Sequence, residues 1–451
     1  MKKTNVLVVC GCVMGMATSS ACTYEAHLAL DPLPTTTPTC DDVDSLGTST
    51  LASVEGLPTA SITSARIKPL WRGNADGFIQ SMTIRDFNRD GTMDMAFASC
   101  PRRMVDFWGN CSLRVMYGAG DATSKRITTL PRGCLRDYRD LRAGDFDGDG
   151  VVDLAALTGP DDVAISYWHG NGDGTFTGPD EVLLPKFDEY AYTADVYLPN
   201  FFTPNGFMVP GDFRGDKRNE IYLGVAVTES SMVLSAPNER IIAGDLDGDA
   251  KDDVIRISVF SDGAPLALTA STSGEIRDVH YCLSKHSCDY RATSGLIAHI
   301  DDDQHQDLVL LVKYGGFRYG VFHGNGAGGL DDPQWSNATA EFGPDLNGDG
   351  EADLTDIGAL VDWHAGDFDG DGRTDLVLAT YDDNGSKASS KLTISLGDGL
   401  GHFEPRRSLD TDSAVIAIGD FDDDSVMDFV LSEDWDLVVV SGRDIVAATD
   451  P

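Results

Sequence analysis

The sequence predicts an all-β fold, a β-propeller built from short four-stranded blades, and three observations predict it. One acidic phrase recurs along the chain, short strand-like runs flank its copies, and a glycine-rich turn phrase returns later in several intervals. The acidic phrase reads GDFDGDGVVDL at 144–154 and GDFDGDGRTDL at 366–376. Related copies are RDFNRDGTMDM from Arg85, GDLDGDAKDDV from Gly244, PDLNGDGEADL from Pro344 and GDFDDDSVMDF from Gly419. Counting the residue after the leading Gly, Arg or Pro as position 1, oxygen-bearing side chains fall at positions 1, 3, 5 and 9. Gly or another small residue is common at position 6. Calcium asks for this pattern: six to eight hard oxygen ligands drawn from a tightly curled loop whose alternate residues point inward. One copy could be a chance acidic turn. Six copies sharing a ninth-position Asp are not.

The candidate calcium ligands are therefore Asp86, Asn88, Asp90 and Asp94 in the first loop and Asp145, Asp147, Asp149 and Asp153 in the second. Asp245, Asp247, Asp249 and Asp253 follow, then Asp345, Asn347, Asp349 and Asp353. The last two sets are Asp367, Asp369, Asp371 and Asp375, and Asp420, Asp422, Asp424 and Asp428. These make about six calcium sites. Asp-rich turns that merely cap strands would explain the Asp and Gly enrichment, but not a ninth-position Asp entering the next strand. Two degraded copies complete the series. GDFRGDKRNEI from Gly211 has Arg214 at position 3 and Glu220 at position 9, and its competing cation predicts an empty loop. AHIDDDQHQDL from Ala298 puts His299 at position 1 but keeps Asp301, Asp303 and Asp307, so weak occupancy stays open there.

Loop starts thus fall at 86, 145, 212, 245, 299, 345, 367 and 420. Most intervals are near the roughly 40–50 residues of a four-stranded blade. The step from 345 to 367 is too short for one. The loop at 345 is therefore read as an insertion covering about 331–362, outside the regular blade pairing. It also has an EF-hand-like frame, with Asp345, Asn347, Asp349 and Asp356 followed by Leu354, Ile357 and Val361 at helical spacing. This resembles half of a dockerin, but only one such segment is present, and an inserted loop with a helical turn is the simpler reading.

The flanking runs read as antiparallel strands. AVIAIG precedes the last loop, and MDFVLS and DLVVVSG follow it; DLVLAT and KLTISLGDG follow the loop at 367. They are short, rich in β-branched residues and bounded by Gly, Asp and Asn. HGNGDGTF at His169, HGNGAGGL at His323 and LGDGLGHF at Leu396 are hairpin turns in which Gly and Asn supply positive φ.

These loops and turns resemble the FG-GAP/VCBS repeats of integrin α-subunit-type β-propellers, over roughly residues 60–446. With the loop at 345 set aside, seven loops remain, and seven blades is what the resemblance implies. It also implies that the backbone carbonyl at position 7 joins each ligand set. A propeller protects sheet edges by radial repetition. The last blade is one strand short, and ITSARIKPLW near Ile62 is the candidate to close the ring.

Composition bounds the partners. Lys plus Arg number 34 against 73 Asp plus Glu, a net charge of −39. Six bound Ca²⁺ would still leave about −27, so much of the acidity is solvated surface. Such a chain does not suit nucleic acid, whose phosphates demand a basic face, nor electrostatic attachment to anionic lipid. Residues 1–22 read as an export signal, with Lys2 and Lys3, an apolar run from Val6 to Ala17, and TSSAC. Cleavage could follow Ala21. Alternatively Cys22 becomes a lipidated first residue, a membrane link through the N-terminus alone, although Ser19 stands where such signals usually carry Leu. Residues 23–59 read as a Pro/Thr-rich linker, and 60–451 as the propeller. The protein is thus expected to be extracytoplasmic, either secreted or a surface lipoprotein. Beyond Cys22 six cysteines remain, an even number that can pair completely in an oxidising compartment. Cys100–Cys111 and Cys282–Cys288 are local hairpin pairs, leaving Cys40 and Cys134.

Catalytic signals are poor. HExxH, GxSxG and Walker sequences are absent, and the glycine spacing in LGDGLGHF lacks the strand–helix context that would give it meaning. His169 and His323 precede the same turn phrase, which favours a repeat-related structural role. Trp71, Trp108, Trp168, Trp335, Trp363 and Trp435 could stack on sugars, but such residues more often fill gaps between blades. The sequence therefore reads as a calcium-binding adhesion or scaffold module for protein or glycan ligands. The alternative is a polysaccharide-active lyase or dehydratase on the same propeller. Its cleft would be sought first in KFDEYAYTADVYLPNFFTPNG, between the loops at 145 and 212.

Overall fold

A computed structural model describes residues 7–11, 23–28 and most of 69–449. Outside the described residues within that last range are 75–76, 101–110, 119–125, 132–137, 159–163, 184–207, 224, 229–230, 235–238, 259–265, 273–274, 282–290, 302, 314–316, 327–328, 339–359, 382–389, 407, 412–413 and 434–435. The described chain is strands throughout, apart from one helix at Gly442–Thr449.

Each of the seven described acidic loops joins two neighbouring strands of one antiparallel sheet. Sheet I runs Phe78–Arg85, Asp94–Cys100, Ser112–Tyr117 and Arg126–Thr129, with the loop at 86 in its first hairpin. Sheet II repeats the order with Tyr138–Gly144, Asp153–Thr158, Ala164–Gly170 and Phe176–Leu183. Sheet III pairs Met208–Gly211 with Glu220–Leu223 around the loop at 212. Sheet IV spans Glu239–Gly244 to Glu275–Tyr281, and sheet V spans Arg291–Ala298 to Gln334–Asn337. Sheet VI begins at Leu360–Gly366 and sheet VII at Ala414–Gly419.

One register explains the repetition. The residue before each loop pairs with its ninth-position acid: Arg85 with Asp94, Gly144 with Asp153, Gly211 with Glu220 and Gly244 with Asp253. Ala298 with Asp307, Gly366 with Asp375 and Gly419 with Asp428 complete the set. The ninth residue is therefore the first residue of the second strand. That strand is buried along its length in sheets I and II, which is why DMAFASC and DLAALT read as unbroken apolar runs.

The core lies between sheets. Phe87, Leu113 and Val115 of sheet I meet Tyr138, Leu154 and Trp168 of sheet II. Further clusters join sheets III and IV, IV and V, V and VI, VI and VII, and VII and I. The position-2 side chains Phe87, Leu246, Ile300, Phe368 and Phe421 are all buried and anchor the loops to these seams. Fully burying a side chain of this size contributes about 1.5–3 kcal/mol. First strands neighbour one another in sequence order from sheet I to V, then from VI to VII and from VII back to I. Outer strands Gln334–Asn337 and Phe403–Pro405 bridge V and VI. The result is a closed ring, a β-propeller.

Several expectations change in detail. The ring is closed by Trp71–Asn74, which pairs with Asp436–Val440 of sheet VII. Of the ITSARIKPLW candidate, Trp71 lies in this strand and Leu70 N donates to Val439 O at 2.8 Å, while 62–68 lie outside the described residues. The insertion is narrower than 331–362. Gln334–Asn337 is the outer strand of sheet V and Leu360–Gly366 the inner strand of sheet VI, so only 339–359, with Asp345, Asn347, Asp349 and Asp353, lies outside the described residues. Finally, Thr23–Leu28, read above as linker, pairs with Glu220–Leu223, and Leu7–Gly11 pairs with Thr23–Leu28, so both extend sheet III. Cleavage after Ala21 would remove the outer of these strands and keep the inner one. A disulfide joins Cys100 and Cys111, as the local pairing expected. Cys40, Cys134, Cys282 and Cys288 lie outside the described residues.

Candidate metal loops

The loops curl because two positions, not one, adopt left-handed backbone. Positions 4 and 6 have positive φ in six loops: Arg89 and Gly91, Gly148 and Gly150, Gly215 and Lys217, Gly248 and Ala250, Gly370 and Gly372, and Asp423 and Ser425. The sequence reading found only the small residue at position 6. The alternation turns residues 1, 3 and 5 to the same side.

Backbone amides then hold each carboxylate by part of its lone pairs. Asp145 accepts from Gly148 N at 2.7 Å and Gly150 N at 2.8 Å; Asp367 accepts from Gly370 N at 2.6 Å and Gly372 N at 2.9 Å. Position 3 accepts from the amide of position 5, as Asp147 does from Asp149 at 3.1 Å and Asp369 from Asp371 at 3.1 Å. Position 5 accepts from position 7, as in Asp149 with Val151 at 2.7 Å and Asp371 with Arg373 at 2.8 Å. At positions 3 and 5 these amide bonds take one oxygen of each carboxylate; the second oxygen faces a side chain in several loops, Asp147 Oδ2 lying 3.2 Å from His169 Nδ1, Asp249 Oδ2 3.1 Å from Lys251 Nζ and Asp371 Oδ2 3.4 Å from Arg373 Nη1. Ligand atoms of Asp145, Asp147 and Asp149 gather within 4.8 Å of one another, as do those of Asp245, Asp247 and Asp253 and those of Asp367, Asp369 and Asp371. Hard oxygen donors crowded in this way fit calcium.

The ninth-position acid does a second job. Asp153 accepts from Phe146 N at 2.9 Å and from Gly170 N, at the end of the third strand, at 2.8 Å. Asp94, Asp307, Asp375 and Asp428 make the same pair of bonds, to Phe87 and Gly118, Ile300 and Gly324, Phe368 and Gly397, and Phe421 and Gly442. Each staples loop, second strand and third strand together. Burial raises the pKa of the ninth-position carboxyl despite its amide donors: Asp94, Asp153 and Asp375 to about 6, Asp253 and Asp428 to about 7.

Neighbouring loops also bond to each other through position 8. Asn219 N donates to Asp145 O at 2.7 Å, Asp252 N to Asp212 O at 2.9 Å and Met427 N to Asp367 O at 2.8 Å; Thr374 Oγ1 donates to His299 O at 2.8 Å. The loops thus form a linked series at one end of the ring.

Four loops hold a Lys or Arg side chain against a carboxylate, Lys251 in the loop at 245 and Arg373 in the loop at 367 among them. Arg214 Nε lies 3.5 Å from Glu220 Oε1, where the sequence placed a competing charge. Arg443, from the terminal helix, donates to Asp424 Oδ2 at 2.6 Å, a contact the sequence reading missed because it spans 19 residues and two elements. The tryptophans resolve toward packing. Trp168 and Trp363 are buried between sheets, and Trp71 and Trp335 pack against the seams. Trp108, Trp435 and the segment 186–206 lie outside the described residues.

A family model described as FG-GAP-like repeat matches residues 86–156, 145–223 and 367–431, each match starting at a first-position Asp. No curated protein matches the chain. Among solved structures, the S. cerevisiae core factor is 9% identical over 88% of this chain and 61% of its own, with a TM-score of 0.43. The chain thus spans less than two thirds of that protein. NanB in complex with Optactamide is 9% identical over 82% of this chain and 70% of its own, TM-score 0.40. AofleA from Arthrobotrys oligospora is 10% identical over 74% of this chain and 91% of its own, TM-score 0.34.

Proposed function

From the premise that the chain is an FG-GAP repeat β-propeller protein, we propose that it is an extracytoplasmic calcium-binding module. Its work on this reading is adhesion or scaffolding toward a protein or glycan ligand. The observation that carries the reading is the repetition of one carboxylate loop at one end of successive sheets, with neighbouring loops hydrogen-bonded to each other. Calcium in these loops supplies charge neutralisation and rigidity: it fixes the side chains at positions 1, 3 and 5 that otherwise repel one another. A rigid, calcium-set rim is a suitable platform for rim loops that recognise a ligand. Among the described residues no helix is long and apolar enough to cross a membrane, and attachment at Cys22 is the membrane link this reading allows.

A glycan array probed with the exported protein, in calcium and again in chelator, tests the proposal. Retention that depends on calcium is the expected result. Calcium-loaded, folded protein that binds no glycan but shortens or unsaturates a polysaccharide would replace the binding reading with the enzymatic one.

A further inference from the structure

Two of the seven described loops face an imidazole from the end of the third strand, a donor the calcium frame does not ask for. His169 lies near the end of the third strand of sheet II, and His323 follows that of sheet V. Each precedes the glycine whose amide binds the ninth-position carboxylate. This register folds the imidazole back over the loop. His169 Nδ1 lies 3.2 Å from Asp147 Oδ2, while His323 Nδ1 lies 3.1 Å from Asp301 Oδ2 and 3.4 Å from Asp307 Oδ1. In both sheets the imidazole and the third- and ninth-position carboxylates bring ligand atoms within 4.8 Å of one another. Both Nδ1 atoms are shielded from solvent, and neither makes a hydrogen bond.

The opposite nitrogen is engaged from the fourth strand, the same 11 residues further on in each sheet. Asp180 Oδ2 lies 3.3 Å from His169 Nε2, and the Gln334 amide nitrogen Nε2 lies 3.1 Å from His323 Nε2. An Nε2–H donated to Asp180 leaves the Nδ1 lone pair facing the loop, the tautomer that an outer carboxylate imposes on a metal-bound histidine. Gln334 has the same effect on His323 once its amide is flipped, which brings the oxygen in place of the nitrogen against Nε2. The nitrogen–oxygen separations also suit a shared ion, since two donors about 2.0–2.1 Å from one tetrahedral metal stand roughly 3.3–3.4 Å apart.

Sheet V discriminates between metals. His299 at position 1 bonds its own loop, Nδ1 to His305 O at 2.9 Å, so the loop lacks the first carboxylate of the calcium frame. Asp301, Asp307 and His323 remain together. The geometry points to two sites for a divalent transition-metal ion of the zinc or cobalt class: Asp301, Asp307 and His323 in sheet V, and Asp147, Asp153 and His169 in sheet II. Mixed imidazole and carboxylate donors suit such ions, whereas calcium takes oxygen alone. In sheet II the site shares Asp147 and Asp153 with the calcium frame of the loop at 145; in sheet V it stands alone. The assignment goes beyond the calcium reading and does not depend on it.

Exported protein stripped with chelator and titrated with Co²⁺ alone provides the test. Two ions per chain are expected, one after His323→Asn or His169→Asn, and none after both. In the unaltered protein two solvent-exchangeable imidazole protons are expected at cobalt-shifted NMR positions, a readout that does not depend on any variant folding. Cobalt uptake unchanged in the double variant, or no shifted imidazole proton, overturns the assignment. A calcium-dependent melting shift measured on the same double variant separates that failure from failure of the calcium reading.

Discussion

At the scale of single residues, the ninth-position aspartates carry the most consequence. Asp94, Asp153 and Asp375 titrate near 6 in the folded chain without metal, and Asp253 and Asp428 near 7, because burial opposes their charge. An unfolded Asp titrates near about 3.9. Between these values the folded chain holds more protons than the unfolded one, so stability is fully present below the unfolded value and is lost as pH rises through 6 to 7. In chelator, the melting temperature is expected to fall from pH 5 to pH 7.5. In saturating calcium the slope is expected to flatten or reverse, because the ion keeps the carboxylates charged. Thermal melts across that range check both, and a chelated protein that gains stability with rising pH would refute the argument. The ninth Asp was legible from its constancy in the repeats. Its second role as a staple was not, since the amides of Gly118 or Gly170 lie 24 and 17 residues away and follow no local period.

Among elements, the loops were legible and the outermost strands were not. A loop of nine residues with four fixed oxygens is dense information, while Gln334–Asn337 and Trp71–Asn74 are four residues each with little pattern to read. Placing Gln334–Asn337 in sheet V confines the inserted segment to 339–359. The connection from sheet I to sheet II makes the same step from outer strand to inner strand, from Thr129 to Tyr138, with eight residues between. Replacing 339–359 by eight Gly and Ser residues is therefore expected to leave a folded protein whose melting temperature still rises with calcium. Loss of the cooperative transition on replacement would show that the segment belongs to the ring.

For the whole molecule, metal and fold are coupled through the rim. Calcium bound to the native loops and not to the unfolded chain stabilises by about 2.7 kcal/mol per site at a hundredfold excess over Kd. Sites linked through position 8 will not add simply. Chelation is expected to lower the melting temperature markedly, and Asp367→Ala or Asp145→Ala to remove part of the calcium shift. Asp212→Ala is expected to remove little, because Arg214 already neutralises that loop. Melting curves indifferent to calcium and chelator would reject these loops as metal sites. Closure has a temporal side as well. Arg72 and its ion-pair partner Asp436 are 364 residues apart in sequence, so a strand made early completes the last sheet. At a synthesis rate of about 5–20 residues per second, Trp71–Asn74 waits on the order of 20–70 s for its neighbour to exist. The nascent chain is an open arc for nearly its whole production. Ribosomes stalled before Asp436 would hold a molecule with an unclasped seam, vulnerable to proteases and to strand capture by other chains, until the final segment arrives.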